Sequence, residues 1–112
     1  MHALVDGHNA IFRLGLGGAT PEDTRRLLLK RVLRVTSQAT VFFDALGAPL
    51  LAPETAREGG LAVRFCRGVE ADQVMLAVVR ESARPSELLL VSDDRELAGR
   101  ARQLGARPAS SR

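Results

Sequence analysis

Six aspartates carry most of the chemistry available to this sequence: Asp6, Asp23, Asp44, Asp72, Asp93 and Asp94. Asp6 closes the apolar run Ala3-Leu4-Val5, Asp44 closes Ala39-Thr40-Val41-Phe42-Phe43, and Asp93 and Asp94 follow Leu88-Leu89-Leu90-Val91. Asp72 opens a helical pattern after a further apolar run. In an open parallel sheet the C-terminal strand ends share one edge, and ligands bind in the crevice outside it. That placement predicts four or five carboxylates on one edge. Like charges gathered in a partly enclosed site repel and raise their own pKa values, and a divalent cation relieves that cost. Oxygen ligands suit Mg²⁺ or Mn²⁺ rather than Zn²⁺. The competing reading is that aspartates are good turn and cap residues. Asp23 fits an ordinary cap, and Asp72 or Asp93 alone would too. Asp6 fits less easily, because Gly7 already supplies a turn there.

Other reactive groups are sparse. His2 and His8 are the only histidines; His8, two residues past Asp6, is placed to contact a phosphate or simply to fill a loop. Ser92 lacks the Gly-x-Ser-x-Gly elbow of an activated serine. Cys66 has no obvious partner and reads as a semi-buried thiol. Neither a dinucleotide fingerprint nor a phosphate-binding P-loop is present, since Lys30, the only lysine, falls inside a helical pattern. A basic surface lies beside the acidic one. Arg26, Lys30 and Arg34 repeat every four residues with Arg25 and Arg31 adjacent, Arg64 and Arg67 flank a strand exit, and Arg95 sits next to the acidic pair. Such groups suit phosphodiester contacts, while Glu22, Glu81 and Glu96 offer surface pairs to neutralise them. Among aromatics, Phe12 alone lies outside the strand patterns and is available to stack on a base.

The elements that must position these groups alternate. An N-terminal strand ends at Asp6, and residues 8–12 make a short helical turn. Thr20 caps a helix that has Pro21 at its first position, with Leu28, Val32, Val35, Leu29 and Leu33 forming a broad buried face. Residues 39–44 read as a central strand covered on both sides. Residues 45–60 read as an irregular connection with a turn of helix near 53–58. A strand over 61–65 precedes a helix over 70–81, whose inward face holds Val74, Val78 and either Met75 or Val79. Residues 87–91 form another strand and 94–104 another helix, closed by Gly105. Strands alternating with helices predict a three-layer α/β/α domain with a mostly parallel sheet of four or five strands and the first strand central. One domain spans residues 1–112, with 105–112 an edge strand or a tail.

Composition sets the outer bounds. With 112 residues, 46% hydrophobic and 26% charged, the chain can bury a modest core. A single cysteine rules out an internal disulfide framework and points to a reducing, cytoplasmic home. No apolar run approaches membrane-spanning length, and Asp6, His8 and Arg13 interrupt any secretion signal. The net charge of +3 permits an acidic partner without demanding one.

Four stretches together resemble the YacP-like NYN domains, a branch of the PIN-like nucleases. Leu4-Val5-Asp6-Gly7-His8-Asn9-Ala10-Ile11 is similar to their Val-Asp-Gly-Tyr-Asn opening, and Phe42-Phe43-Asp44-Ala45 to their second strand end. Glu70-Ala71-Asp72-Gln73-Val74-Met75 resembles their Thr-Ala-Asp motif, and Val91-Ser92-Asp93-Asp94-Arg95 their Val-Thr-Ser-Asp-Arg. The stretches occur in family order. The resemblance implies a PIN-like fold and a metal-dependent endoribonuclease using Mg²⁺ or Mn²⁺. By matching positions, Asp6, Asp72 and Asp94 are its main acidic residues, Asp44 and Asn9 support them, and Asp93 is an added ligand or a neighbour. RNA contacts then fall to Arg95, Arg67, Arg26, Lys30 and His8. Ribosome association belongs to the same family expectation; monomer and homodimer stay open. There are departures: His8 replaces the frequent Tyr, Glu70 replaces Thr, and a Gln expected after Asp94 is absent. The alternative is an RNA- or ribosome-binding module of the same fold with little activity, in which Arg25, Arg26, Lys30 and Arg34 outweigh Asp72. A signalling receiver would need an acidic pair after the first strand and a late lysine, and this sequence has neither.

Overall fold

A computed structural model describes residues 1–44 and 55–111. The chain runs β1 (His2–Asp6), α1 (Gly7–Leu14), α2 (Pro21–Leu33), β2 (Ala39–Asp44), β3 (Thr55–Glu58), β4 (Leu61–Cys66), α3 (Ala71–Glu81), a 3₁₀ turn (Pro85–Glu87), β5 (Leu88–Val91), α4 (Arg95–Gln103) and β6 (Arg107–Ala109). Among these residues the sheet has six strands in the order β3-β4-β2-β1-β5-β6. Every pairing is parallel except the β3–β4 hairpin. The first strand is central, as its place in the alternation predicts.

Alternating side chains split the core into two layers. Val5, Val41, Phe43 and Val63 pack with Leu28 and Leu29 beneath α1 and α2. Leu4, Phe42 and Leu90 face the other way, against Met75, Val79, Leu97 and Ala101 of α3 and α4. This is the three-layer α/β/α arrangement. Burying a large side chain in either layer is worth about 1.5–3 kcal/mol, so the sheet is held from both sides at its centre.

Several local expectations change. The edge gains β3, where an irregular connection with a helical turn was expected; the rest of that connection, 45–54, lies outside the described residues. Gly59 and Gly60 both have positive φ, 60° and 89°, and join Glu58 to Leu61 across a two-residue hairpin. Glycine tolerates that backbone where other residues strain. The C-terminal segment is an edge strand rather than a tail, since β6 pairs with β5. In α2 the buried face is narrower than expected: Val35 lies beyond the helix and is 86% exposed, and Leu33 is 42% exposed. In α3 both Met75 and Val79 are buried, with Val74 and Val78 only partly so. The first helix, Gly7–Leu14, is longer than a single turn, with Asp6 as its N-cap and Gly15 in the left-handed region closing it.

Candidate functional site at the strand-end edge

Asp6 stands where β1 becomes α1 and serves as the helix N-cap, its Oδ1 accepting from the Asn9 amide at 3.4 Å. The Ser92 hydroxyl donates to Oδ2 at 3.2 Å. Burial pushes the Asp6 carboxyl above its ordinary pKa and Asp44 adds to the rise, while the Asn9 amide, the Ser92 hydroxyl and His8 hold it back. Gly7 begins α1 against β2. A Cβ there would lie 2.6 Å from the Phe42 carbonyl oxygen and 2.7 Å from the Phe43 ring, so this glycine is required by close approach rather than by a turn.

Ser92 is 4% exposed and does two jobs, since its Oγ also accepts from the Asp94 amide at 3.1 Å. Asp6 and the start of α4 are thereby tied through one hydroxyl. Asp94 caps α4, its Oδ1 accepting from the Glu96 and Leu97 amides at 3.0 and 3.2 Å. Asp44 at the end of β2 accepts from the Ala71 amide at 3.1 Å, which anchors the start of α3. His8 stands 3.8 Å from its other oxygen, edge-on to Phe43.

A second network holds Asp93. Its Oδ1 accepts from the Ser110 hydroxyl at 2.7 Å and its Oδ2 from the Ser111 amide at 3.4 Å, with Arg13 Nε at 3.4 Å. These bonds hold its pKa down, Ser110 contributing most. The Asn9 side-chain oxygen accepts from the Asp93 amide at 2.9 Å and from the Ser111 hydroxyl at 3.2 Å. Asp93 and Asn9 thus fasten Ser110 and Ser111 to α1. Asp72 lies in the first turn of α3 and accepts from the Gln73 amide at 2.8 Å.

The structure therefore brings Asp6, Asp44, Asp93, Asp94 and Asn9 to one sheet edge, as the strand order requires. It does not gather them around a cation: among the described residues no three His, Cys, Asp or Glu are grouped to hold a metal ion. Each of Asp6, Asp44, Asp72, Asp93 and Asp94 has at least one carboxylate oxygen accepting a hydrogen bond from its own chain. The present arrangement does not fit a three-carboxylate metal centre, and the expectation that Asp6, Asp72 and Asp94 share Mg²⁺ or Mn²⁺ gains no geometric support.

The basic surface also changes. Arg25 is 7% exposed, pairs with Glu58 at 3.2 Å and lies over Phe65, so it braces β3 and β4 instead of facing solvent. Arg26 is occupied by Glu22 at 2.7 Å and Asp23 at 3.9 Å. Lys30, Arg67 and Arg95 are exposed, and Phe12 is 80% exposed on α1. Sequence reasoning missed Arg13, Ser110 and Ser111, whose partners lie too far along the chain to leave any local pattern.

Crystal structures of Rae1 (YacP) from Bacillus subtilis have a similar overall fold. One, of a point mutant, aligns with a TM-score of 0.71 at 20% identity, covering 99% of this chain and 70% of that one. The other gives 0.71 and 20%, covering 99% and 69%. The fold is that of Rae1 (YacP). No family model matches the sequence, and no curated protein matches it. The YacP likeness thus rests on architecture, and it spans all four of the stretches that resemble the NYN domains.

Proposed function

We propose that this domain binds RNA by its phosphodiester backbone, as a YacP-like NYN module with weak hydrolysis or none. The observation that supports it is the convergence of the four NYN-like stretches on one sheet edge, in a fold shared with YacP over 99% of the chain. Own-chain donors engage the carboxylates of that edge, with Arg13 beside Asp93 and His8 beside Asp44. Exposed Arg95 and Arg67 then supply cationic contacts to phosphate oxygens, with Lys30 farther off toward the strand-start end of α2, and Phe12 a stacking surface. Ribosome association follows from the same resemblance.

A metal-dependent endoribonuclease is the second reading. One observation favours it: Ser92 links Asp6 to the Asp94 loop, and burial leaves Asp6 a carboxylate whose ionisation a cation would ease. In that reading Asp6, Asp72 and Asp94 carry the reaction, with Asp93, Asn9 and Asp44 around them. The deciding experiment runs RNA filter binding and cleavage in parallel on the wild type, Asp6→Asn and Asp72→Asn, with Mg²⁺ and Mn²⁺. The module reading expects salt-sensitive binding, at most weak cleavage that Asp72→Asn leaves unchanged with either metal, and undiminished binding by both variants. Cleavage that Asp72→Asn lowers by orders of magnitude establishes the nuclease instead. A wild type that binds no RNA ends both.

A further inference from the structure

The two faces of the sheet are unequally covered. The β1-to-β2 connection runs through α1 and α2 on one face, whereas α3 and α4, which lead into β5 and β6, pack on the other. Among the described residues the α1–α2 face of β5 is therefore only partly covered, Leu89 and Val91 lying half-buried against that layer. A groove of about 790 Å³ lies there, its accessible surface offered by the half-buried Leu89, Val91, Ala109 and Val32 and the exposed Val35, with the core residues Val5 and Leu28 beneath them. Strands of a parallel sheet are ordinarily buried on both faces. Leu88-Leu89-Leu90-Val91 has the unbroken apolar character of such a strand, and Val35 at the groove wall is 86% exposed.

The lining is also one-signed. Arg13, Arg31 and Arg34 line the groove and no acidic side chain does. Arg13 is engaged by Asp93, but Arg31 and Arg34 are exposed and have no ion pair among the described residues. We propose that this groove docks an amphipathic helix of a partner protein, its apolar stripe on the sheet and its flank acidic toward Arg31 and Arg34. The four residues of β5 extend about 13 Å at 3.3 Å per residue. Two to three helical turns, about 11–16 Å, match that floor. The helix completes the missing part of the α1–α2 layer.

The test is an NMR titration of the full chain with a synthetic peptide carrying Leu at three- and four-residue spacing and Glu on its flanks. A counterpart peptide has Lys in place of Glu. The expected result is saturable methyl shifts at Val32, Leu89 and Val91 with the Glu peptide and none with the Lys peptide. Arg31→Glu with Arg34→Glu should weaken the Glu peptide at least tenfold and admit the Lys peptide. Val35→Glu, at an exposed position that leaves the fold intact, should also repel the Glu peptide. Absence of saturable shifts, or equal binding of both peptides by the wild type, overturns the proposal. So does occupation of the groove by a second copy, seen as the same shifts on raising protein concentration alone. Preferential uptake of dodecanoate would reassign the groove to small anionic amphiphiles and overturn it equally.

Discussion

Asp6 is caught between roles that set opposite demands on its charge. As a cap it is best ionised, because a carboxylate is the stronger acceptor for the Asn9 amide. Its burial disfavours that ionisation and raises its pKa. The folded state then binds more protons than the unfolded chain between the ordinary and the raised value, so stability falls as pH rises through that interval. Asp6→Asn keeps an oxygen acceptor and should abolish this decline. Urea denaturation of both proteins from about pH 4 to pH 7 reads the difference, and parallel slopes would contradict the assignment. Asp93 behaves oppositely. Its pKa is held down by Ser110, so its contribution is present above the ordinary carboxylate range and is lost as pH falls through the lowered value. Ser92 carries more weight than its size suggests. Ser92→Ala leaves a buried edge of Asp6 and the Asp94 amide each short of a partner and should cost about 1–3 kcal/mol, measured as a lower denaturation midpoint with an unchanged slope.

The elements were readable wherever periodicity or capping chemistry was strong. Thr20 with Pro21 marked the start of α2, and its hydroxyl accepts from the Asp23 amide at 3.1 Å. The six residues of β2 were legible because apolar side chains occupy both faces. The strand β3 was obscured because Thr55-Ala56-Arg57-Glu58 has no apolar alternation, half of it being exposed. The signal that marks it is the Gly59-Gly60 pair before Leu61, which reads as a hairpin turn. The edge location of the site followed from strand order. Its internal bonding did not, because Ser92–Asp6 and Ser111–Asn9 join residues 86 and 102 positions apart. At this scale Gly7 is the point of least tolerance. Gly7→Ala forces a Cβ toward the Phe42 carbonyl, which is backbone and cannot swing aside. A loss of about 1–3 kcal/mol is expected, visible as a lower Tm; a Tm within experimental error of wild type would show that α1 can shift freely.

For the whole molecule, the net charge of +3 matters less than which cations remain uncommitted. Arg25 and Arg26 are engaged by acids of their own chain, whereas Lys30 and Arg95 have no ion pair among the described residues. Replacing Lys30 and Arg95 together with alanine should weaken binding to many single-stranded RNAs alike. It should also flatten the salt dependence, by about 0.7 in log–log slope for each phosphate that is no longer neutralised. Arg26→Ala should leave both nearly unchanged. Filter binding across a salt series separates them; a larger effect from Arg26 would place the RNA track elsewhere.

The strand order β3-β4-β2-β1-β5-β6 also has a consequence for the chain as it is synthesised. The first strand made ends up in the middle, and one of its two neighbours, β5, emerges only after residue 87. Until then the nascent sheet carries Ala3-Leu4-Val5 on an open, apolar border that invites pairing with another chain. The same late stretch brings Ser92 and Asp94, so the edge is completed only when that border closes. A ribosome-arrested chain with residues up to 84 clear of the exit tunnel should therefore be protease-sensitive and chaperone-bound, and one with residue 111 clear of it should be neither.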